Sequence, residues 1–149
     1  MIRFKTQKQI FMTKDLWINL PVKDLKKSRE FFTKLGFNQN TKFPETGQMS
    51  SLFVGTKNLV IMLCVEAVFQ GFTKNNIPDA KQATEVLFSF DAESRQEVDE
   101  LAAKVKTAGG TIWAAPGENQ GWMYGFGFAD LDGHRWNVLY MDMSKMPKG

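Results

Sequence analysis

One succession of local patterns occurs twice in this chain: a strand, a helix and then three strands, beginning near Asp15 and again near Thr84. The duplication lies in the pattern, not in residue identity, and it strongly limits the fold, because a sheet covered by one helix leaves its second face open. In the first copy Leu16–Val22 alternates as a strand, and Asp24 is placed to cap a helix over Leu25–Leu35. Leu25, Phe31, Phe32 and Leu35 form the apolar stripe of that helix, and Gly36 ends it. Strands are predicted at Asn38–Phe43, Met49–Val54 and Asn58–Val65, with turns at Gly47 and at Gly55 to Asn58.

The second copy opens with a strand over Glu85–Phe90. A helix follows at Arg95–Ala108, with Val98, Leu101, Ala102 and Val105 on its apolar face and Gly109-Gly110 after it. Strands at Thr111–Ala114, Trp122–Ala129 and Arg135–Met141 complete it. The expected fold is α+β: two βαβββ modules pairing curved mixed sheets around a shared cleft. The expected organisation is an N-terminal extension or arm at 1–13 and a single domain at 14–149. Its modules, 14–65 and 84–142, are joined by a linker or lid at 66–83, where Pro78-Asp79-Ala80 is suited to start a helical turn. A long connection carrying Val68, Phe69, Phe72 and Ile77 serves either as a lid over the cleft or as a dimer contact; the lid is the reading preferred.

At 149 residues the chain can bury a full core without disulfides or metal. Its one cysteine, Cys64, has no internal disulfide partner and reads as a small buried hydrophobe, and a reducing, cytoplasmic setting is expected. A net charge of +3, with basic and acidic residues interleaved, argues against a nucleic-acid partner, and no apolar run approaches the ~20 residues of a membrane span. Thirteen phenylalanines supply more aromatic surface than a core of this size needs, enough to wall a pocket.

The chain holds one histidine, His134, within Asp130-Leu131-Asp132-Gly133-His134-Arg135-Trp136-Asn137. A mechanism needing two imidazoles is therefore excluded within one subunit. Asp132-Gly133 makes a tight turn and Asp130 is placed to accept from amides two residues on, so His134 reads as a strand-start residue rather than as a base. The glycine-rich run Trp122 to Phe128 lacks the lysine and the strand-loop-helix setting of a phosphate loop. Its glycines suit sheet curvature or the close approach of a bound molecule, with Trp113, Trp122 and Tyr124 as walls of a cleft or as dimer packing.

The duplicated unit, the opening Ile18-Asn19-Leu20-Pro21-Val22-Lys23-Asp24-Leu25 with Phe31-Phe32 and Leu35-Gly36-Phe37, and the closing Asp130-x-Asp132-Gly133-His134-x-Trp136 together resemble the vicinal oxygen chelate superfamily. That superfamily takes in glyoxalase I, extradiol dioxygenases, and fosfomycin and bleomycin resistance proteins. The likeness, over about Lys14 to Pro147, is greatest to the bacterial group described as predicted lactoylglutathione lyases.

The resemblance implies a divalent metal on the cleft side of the sheets, with one ligand from the first and last strand of each half. Those positions fall on Trp17, on Met62 or a neighbour, on Glu85 and on Asn137. Indole cannot ligate, a thioether suits hard ions poorly, and a neutral amide binds weakly, so Glu85 is the one strong candidate ligand. No metal or other cofactor is expected.

Strand alternation turns Leu16, Ile18, Leu20 and Val22 toward the helices and leaves Trp17, Asn19, Val60, Met62, Cys64, Glu85 and Asn137 on the open faces. Trp17 and Met62 are suited to fill the volume that a metal would take. The expected ligand-binding set is Trp17, Asn19, Met62, Glu85, Asn137, Trp122, Tyr124, Phe69 and Phe72.

Two functions are consistent with this set. One is a metal-independent homodimer that binds a small aromatic or amphipathic molecule. The other is a glyoxalase-like lyase or isomerase with Glu85 as base, Asn137 orienting an enolate-like oxygen, and a weakly held divalent metal as an optional assistant.

Overall fold

The structure, a computed structural model, describes residues 13–149, so all but the last residue of the expected N-terminal extension falls outside the described residues. The first module runs β1 (Trp17–Val22), α1 (Leu25–Lys34), β2 (Asn38–Gln39), β3 (Met49–Val54) and β4 (Leu59–Val65). A connecting helix, α2 (Glu66–Thr73), leads to the second module: β5 (Leu87–Asp91), α3 (Arg95–Ala108), β6 (Thr111–Asn119), β7 (Met123–Ala129) and β8 (Arg135–Met141). A 3-10 turn at Met143–Lys145 closes the chain.

The two sheets have one topology used twice, β1-β4-β3-β2 and β5-β8-β7-β6. The first strand of each module lies parallel to the last, and the remaining pairs are antiparallel. The α+β fold of two βαβββ modules is therefore present. Each module leaves its first strand at a sheet edge.

Local chemistry sets the helix limits. The Asp24 carboxylate accepts from the Lys27 amide at 3.0 Å to start α1, and Ser94 accepts from the Glu97 amide at 3.1 Å to start α3. Glu97 reaches back to the Glu93 amide, and Gly109, with φ of 96°, ends α3 in the left-handed conformation.

Several element limits differ from those expected. β2 stops after two residues instead of running to Phe43, because Asn40 folds into a side-chain turn: its Oδ1 accepts from the Lys42 amide while its Nδ2 donates to Ser51 Oγ. β6 continues past Ala114 to Asn119, with register shifts either side of Ala114, and as an edge strand it tolerates Pro116.

β5 begins at Leu87, so Glu85 precedes the strand it was expected to start. Part of the linker is helical: α2 occupies Glu66–Thr73 and ends on Lys74 in the left-handed conformation. At Pro78 to Ala80 the chain makes a turn, in which the Asp79 carbonyl accepts from the Gln82 and Ala83 amides.

One core joins the modules. Phe31 and Phe32 of α1 pack on Phe128 and Trp136 of the second sheet, with ring centroids 6.2 Å and 5.3 Å apart, and Phe37 reaches Phe90 at 5.5 Å. Trp136 and Phe32 are buried almost completely. Such aromatic pairs contribute about 1 kcal/mol each beyond the burial of their area. The helix-facing sides of both sheets are thus held together by α1, and the surfaces left for function are the open faces and the gap between the β1 and β5 edges.

Candidate functional site

The β7–β8 turn docks on the first module. Asp130 is buried and accepts from the amides of Asp132 and His134, each at 3.0 Å, and from Trp136 Nε1 at 3.0 Å. Burial raises the Asp130 carboxyl above the ordinary carboxylate range, against the lowering pull of the His134 charge and of its donors.

Next in the turn, Asp132 accepts from the Lys23 amide at 2.9 Å and from Ser28 Oγ at 3.1 Å, at the start of α1. His134 Nε2 lies 2.8 Å from the Pro21 carbonyl. Because a carbonyl only accepts, this contact fixes Nε2 as the protonated nitrogen. Gly133, with φ of 92°, sits where a Cβ would meet Lys81 and Ala80 of the linker, so the turn also carries the end of the connecting segment.

Beside this junction, between the free edges of β1 and β5, lies a cavity of about 760 Å³. Ile18 and Leu20 line one side, Val86 and Phe88 the other, and Phe69 of α2 with Ile77 the linker side. Polar groups also line it, among them Asn19, Asn75, Asn76, Glu85, His134 and Arg135. Its size fits a drug-sized molecule, and a mixture of apolar wall and polar groups suits an amphipathic one. A second cavity of about 300 Å³ adjoins it and is polar, lined by Lys23, Glu66, Asp79 and Asp132 among others. Pro21, Ile77, Pro78, Ala80 and His134 border both spaces.

The structure brings Asn19, Phe69 and Glu85 of the expected set together on the larger cavity, and linker residues do line it. It does not bring the others there. Trp17 is 58% exposed on the open face of β1, and Phe72 is 61% exposed on α2. Met62 stands beside Asn19 in register and is half-buried, next to Cys64, whose thiol donates weakly to Asn19 Oδ1 and is pushed up in pKa by burial.

Tyr124 shares its parity with Phe126 and Phe128, turns toward α3 and donates to Asp99 at 2.8 Å. Trp122, just before β7, has its Nε1 buried without a partner among the described residues. Asn137 lies on the open face of the second sheet between Ser89 and Gly127, with a buried and unpartnered Oδ1.

Glu85 is exposed and makes no side-chain hydrogen bond among the described residues, and Asn137 lies opposite Ser89 in the sheet register, not beside Glu85. Near Asn137, the Trp113 ring covers Gly127, where a Cβ would come within 2.3 Å of it, and the Arg135 guanidinium stacks 5.2 Å from the same ring.

The four positions at which the resemblance sets metal ligands do not fit a divalent ion. They present an indole, a thioether, a carboxylate standing outside its strand and one neutral amide oxygen. Among the described residues no three His, Cys, Asp or Glu side chains gather as a metal-binding group.

His134, Val86 and Phe88 line the cavity although no sequence pattern marks them for it, whereas Ile77 lies in the segment expected as a lid. Alternation places Val86 and Phe88 with the core, and nothing local in sequence reveals that a strand edge stays free of a partner. The one usable signal was Ile77 before Pro78 in an otherwise polar stretch.

Comparison with known proteins defines the class. The sequence model described as Glyoxalase/Bleomycin resistance protein/Dioxygenase superfamily matches residues 16–138, and the chain belongs to that superfamily. The hypothetical protein SA1046 from S. aureus is similar at 35% identity and a TM-score of 0.76, over 87% of this chain and 95% of that one.

A glyoxalase-related enzyme from Fulvimarina pelagi shares the fold at 16% identity and a TM-score of 0.74, over 93% of this chain and 94% of that one. So does the fosfomycin resistance protein FosX from Listeria monocytogenes, in a complex with Mn(II) and sulfate, at 18% identity and a TM-score of 0.65, over 90% and 94%. No curated protein sequence matches the chain. Among the described residues no helix is long and apolar enough to cross a membrane.

Proposed function

We propose that this protein binds a small amphipathic or aromatic molecule, without a metal, in the cavity between the β1 and β5 edges. The observation that carries the reading is the cavity itself: about 760 Å³, walled mainly by apolar side chains of both modules and of the connecting segment. A second copy of the chain is the expected partner. Leu16, Trp17, Val86 and Leu87 lie at the two free strand edges and are each about half exposed or more, and free apolar edges are commonly covered by association.

Fluorescence titration with 2-naphthol tests the binding reading. Saturable binding at one site per chain is expected, and Ala83→Phe, which fills the cavity from the linker, should abolish it with the melting temperature unchanged. Binding unaffected by Ala83→Phe contradicts the reading. A light-scattering mass of two chains is expected, and a monomer at all concentrations contradicts the dimer.

Glu85 on the same cavity supports a second reading, a glyoxalase-like lyase or isomerase with this carboxylate as base. Turnover of methylglyoxal with glutathione that is lost in Glu85→Gln would favour it over simple binding.

A further inference from the structure

We infer that His134 Nδ1 receives the hydrogen-bond-donating end of the ligand, whose apolar body fills the larger cavity; the inference rests on the binding reading above and names the ligand's chemical class. Nε2 of the imidazole is committed as a donor to the Pro21 carbonyl at 2.8 Å, so in the neutral ring Nδ1 carries the lone pair. Nδ1 makes no hydrogen bond among the described residues, and the His134 side chain is only part-buried where it lines both cavities.

The spaces His134 borders are the two cavities, and it stands at the partition between them. On the larger side Ile18, Leu20, Phe69, Ile77, Val86 and Phe88 supply apolar wall that suits an apolar body, beside polar lining that includes Asn75, Asn76, Glu85 and Arg135. On the smaller side three carboxylates, Glu66, Asp79 and Asp132, face one lysine, Lys23. A terminal carboxylate or phosphate would meet repulsion there, whereas a hydroxyl or an amine would find acceptors. The ligand class is thus an apolar, ring-sized body ending in a hydroxyl or amine.

The imidazole also contributes to the junction through Pro21, so a plain deletion would mix two roles. Two replacements separate them. Glutamine keeps a donor at the ε position for the Pro21 carbonyl and loses the acceptor at the δ position. Asparagine keeps an acceptor at the δ position and loses the ε donor.

The probes are 2-naphthol, 2-methoxynaphthalene, which cannot donate, and 2-naphthoate. Wild type should bind 2-naphthol about fivefold more tightly than 2-methoxynaphthalene, the worth of one net hydrogen bond, and bind 2-naphthoate weakest. His134→Gln should retain the melting temperature and bind the first two probes equally. His134→Asn should melt lower and retain the preference.

A naphthol preference that survives in His134→Gln places the acceptor on another wall and overturns the inference while leaving the binding reading intact. So does equal binding of the first two probes by wild type. Failure of all three probes to bind wild type overturns the inference and the binding reading together.

Discussion

The last hairpin turns of the two modules occupy the same place in the same topology and do opposite things. Between β3 and β4, Gly55 to Asn58 is exposed, and a Cβ added at Gly55 would meet nothing. Between β7 and β8, Asp130 is buried, Asp132 and His134 bond to the first module, and Gly133 is packed against the linker. The duplicated pattern therefore sets the fold twice but makes one junction. The turn rich in acidic and imidazole groups fixes how the modules meet, and with that the cavity between β1 and β5.

Substitution in each turn sharpens this contrast. Asp130→Ala is expected to have the largest effect, a loss of about 3 kcal/mol in urea unfolding, because two backbone amides and the Trp136 indole lose their buried acceptor. A change below 1 kcal/mol would show that water satisfies these donors.

Gly133→Ala follows at about 2–3 kcal/mol, since a Cβ there combines left-handed strain with contact at 2.8 Å to the Lys81 amide nitrogen. Its counterpart Gly55→Ala should cost about 1 kcal/mol, from backbone strain alone. Equal losses at the two glycines would erase the distinction between the turns. Ser28→Ala, which removes one donor to Asp132 and leaves the Lys23 amide in place, should cost about 1 kcal/mol or less in the same assay.

Protonation gives a further comparison. Because the folded-state Asp130 carboxyl is raised, the folded chain holds this proton at pH values where the unfolded chain has released it. Stability from this group is therefore fully present below the ordinary carboxylate range and is lost as pH rises through the raised value. In Asp130→Asn that component should be absent, so the stability of wild type relative to this variant should fall with rising pH across the window. A flat difference would show that the hydrogen bonds offset burial, and a difference that rises with pH would show that they outweigh it.

The sequence displayed the modules clearly and the site only in part. Helix α3 matched its expected limits because Ser94, the apolar face from Val98 to Val105 and Gly109 all act locally. The facing of side chains within the strands followed from alternation, as with Trp136 and Val138 turned to the core and Asn137 turned away.

What stayed hidden depends on tertiary placement. α2 has no side-chain cap to announce its start. Alternation extends β5 back to Glu85, whereas pairing with β8 begins two residues later, at Leu87 opposite Arg135. The cavity is bounded by strand edges, and no periodicity distinguishes a free edge from a paired one. The local pattern makes His134 a strand-start residue, which its backbone fits; its place on the cavity arises from Pro21, 113 positions away in the chain.

A crystal structure of the protein with 2-naphthol bound tests the central claim most directly. Density for the ring is expected between the β1 edge at Ile18 and Leu20 and the β5 side at Val86 and Phe88, with its hydroxyl at His134. Density on the open face of the second sheet, around Trp113 and Asn137, would contradict it.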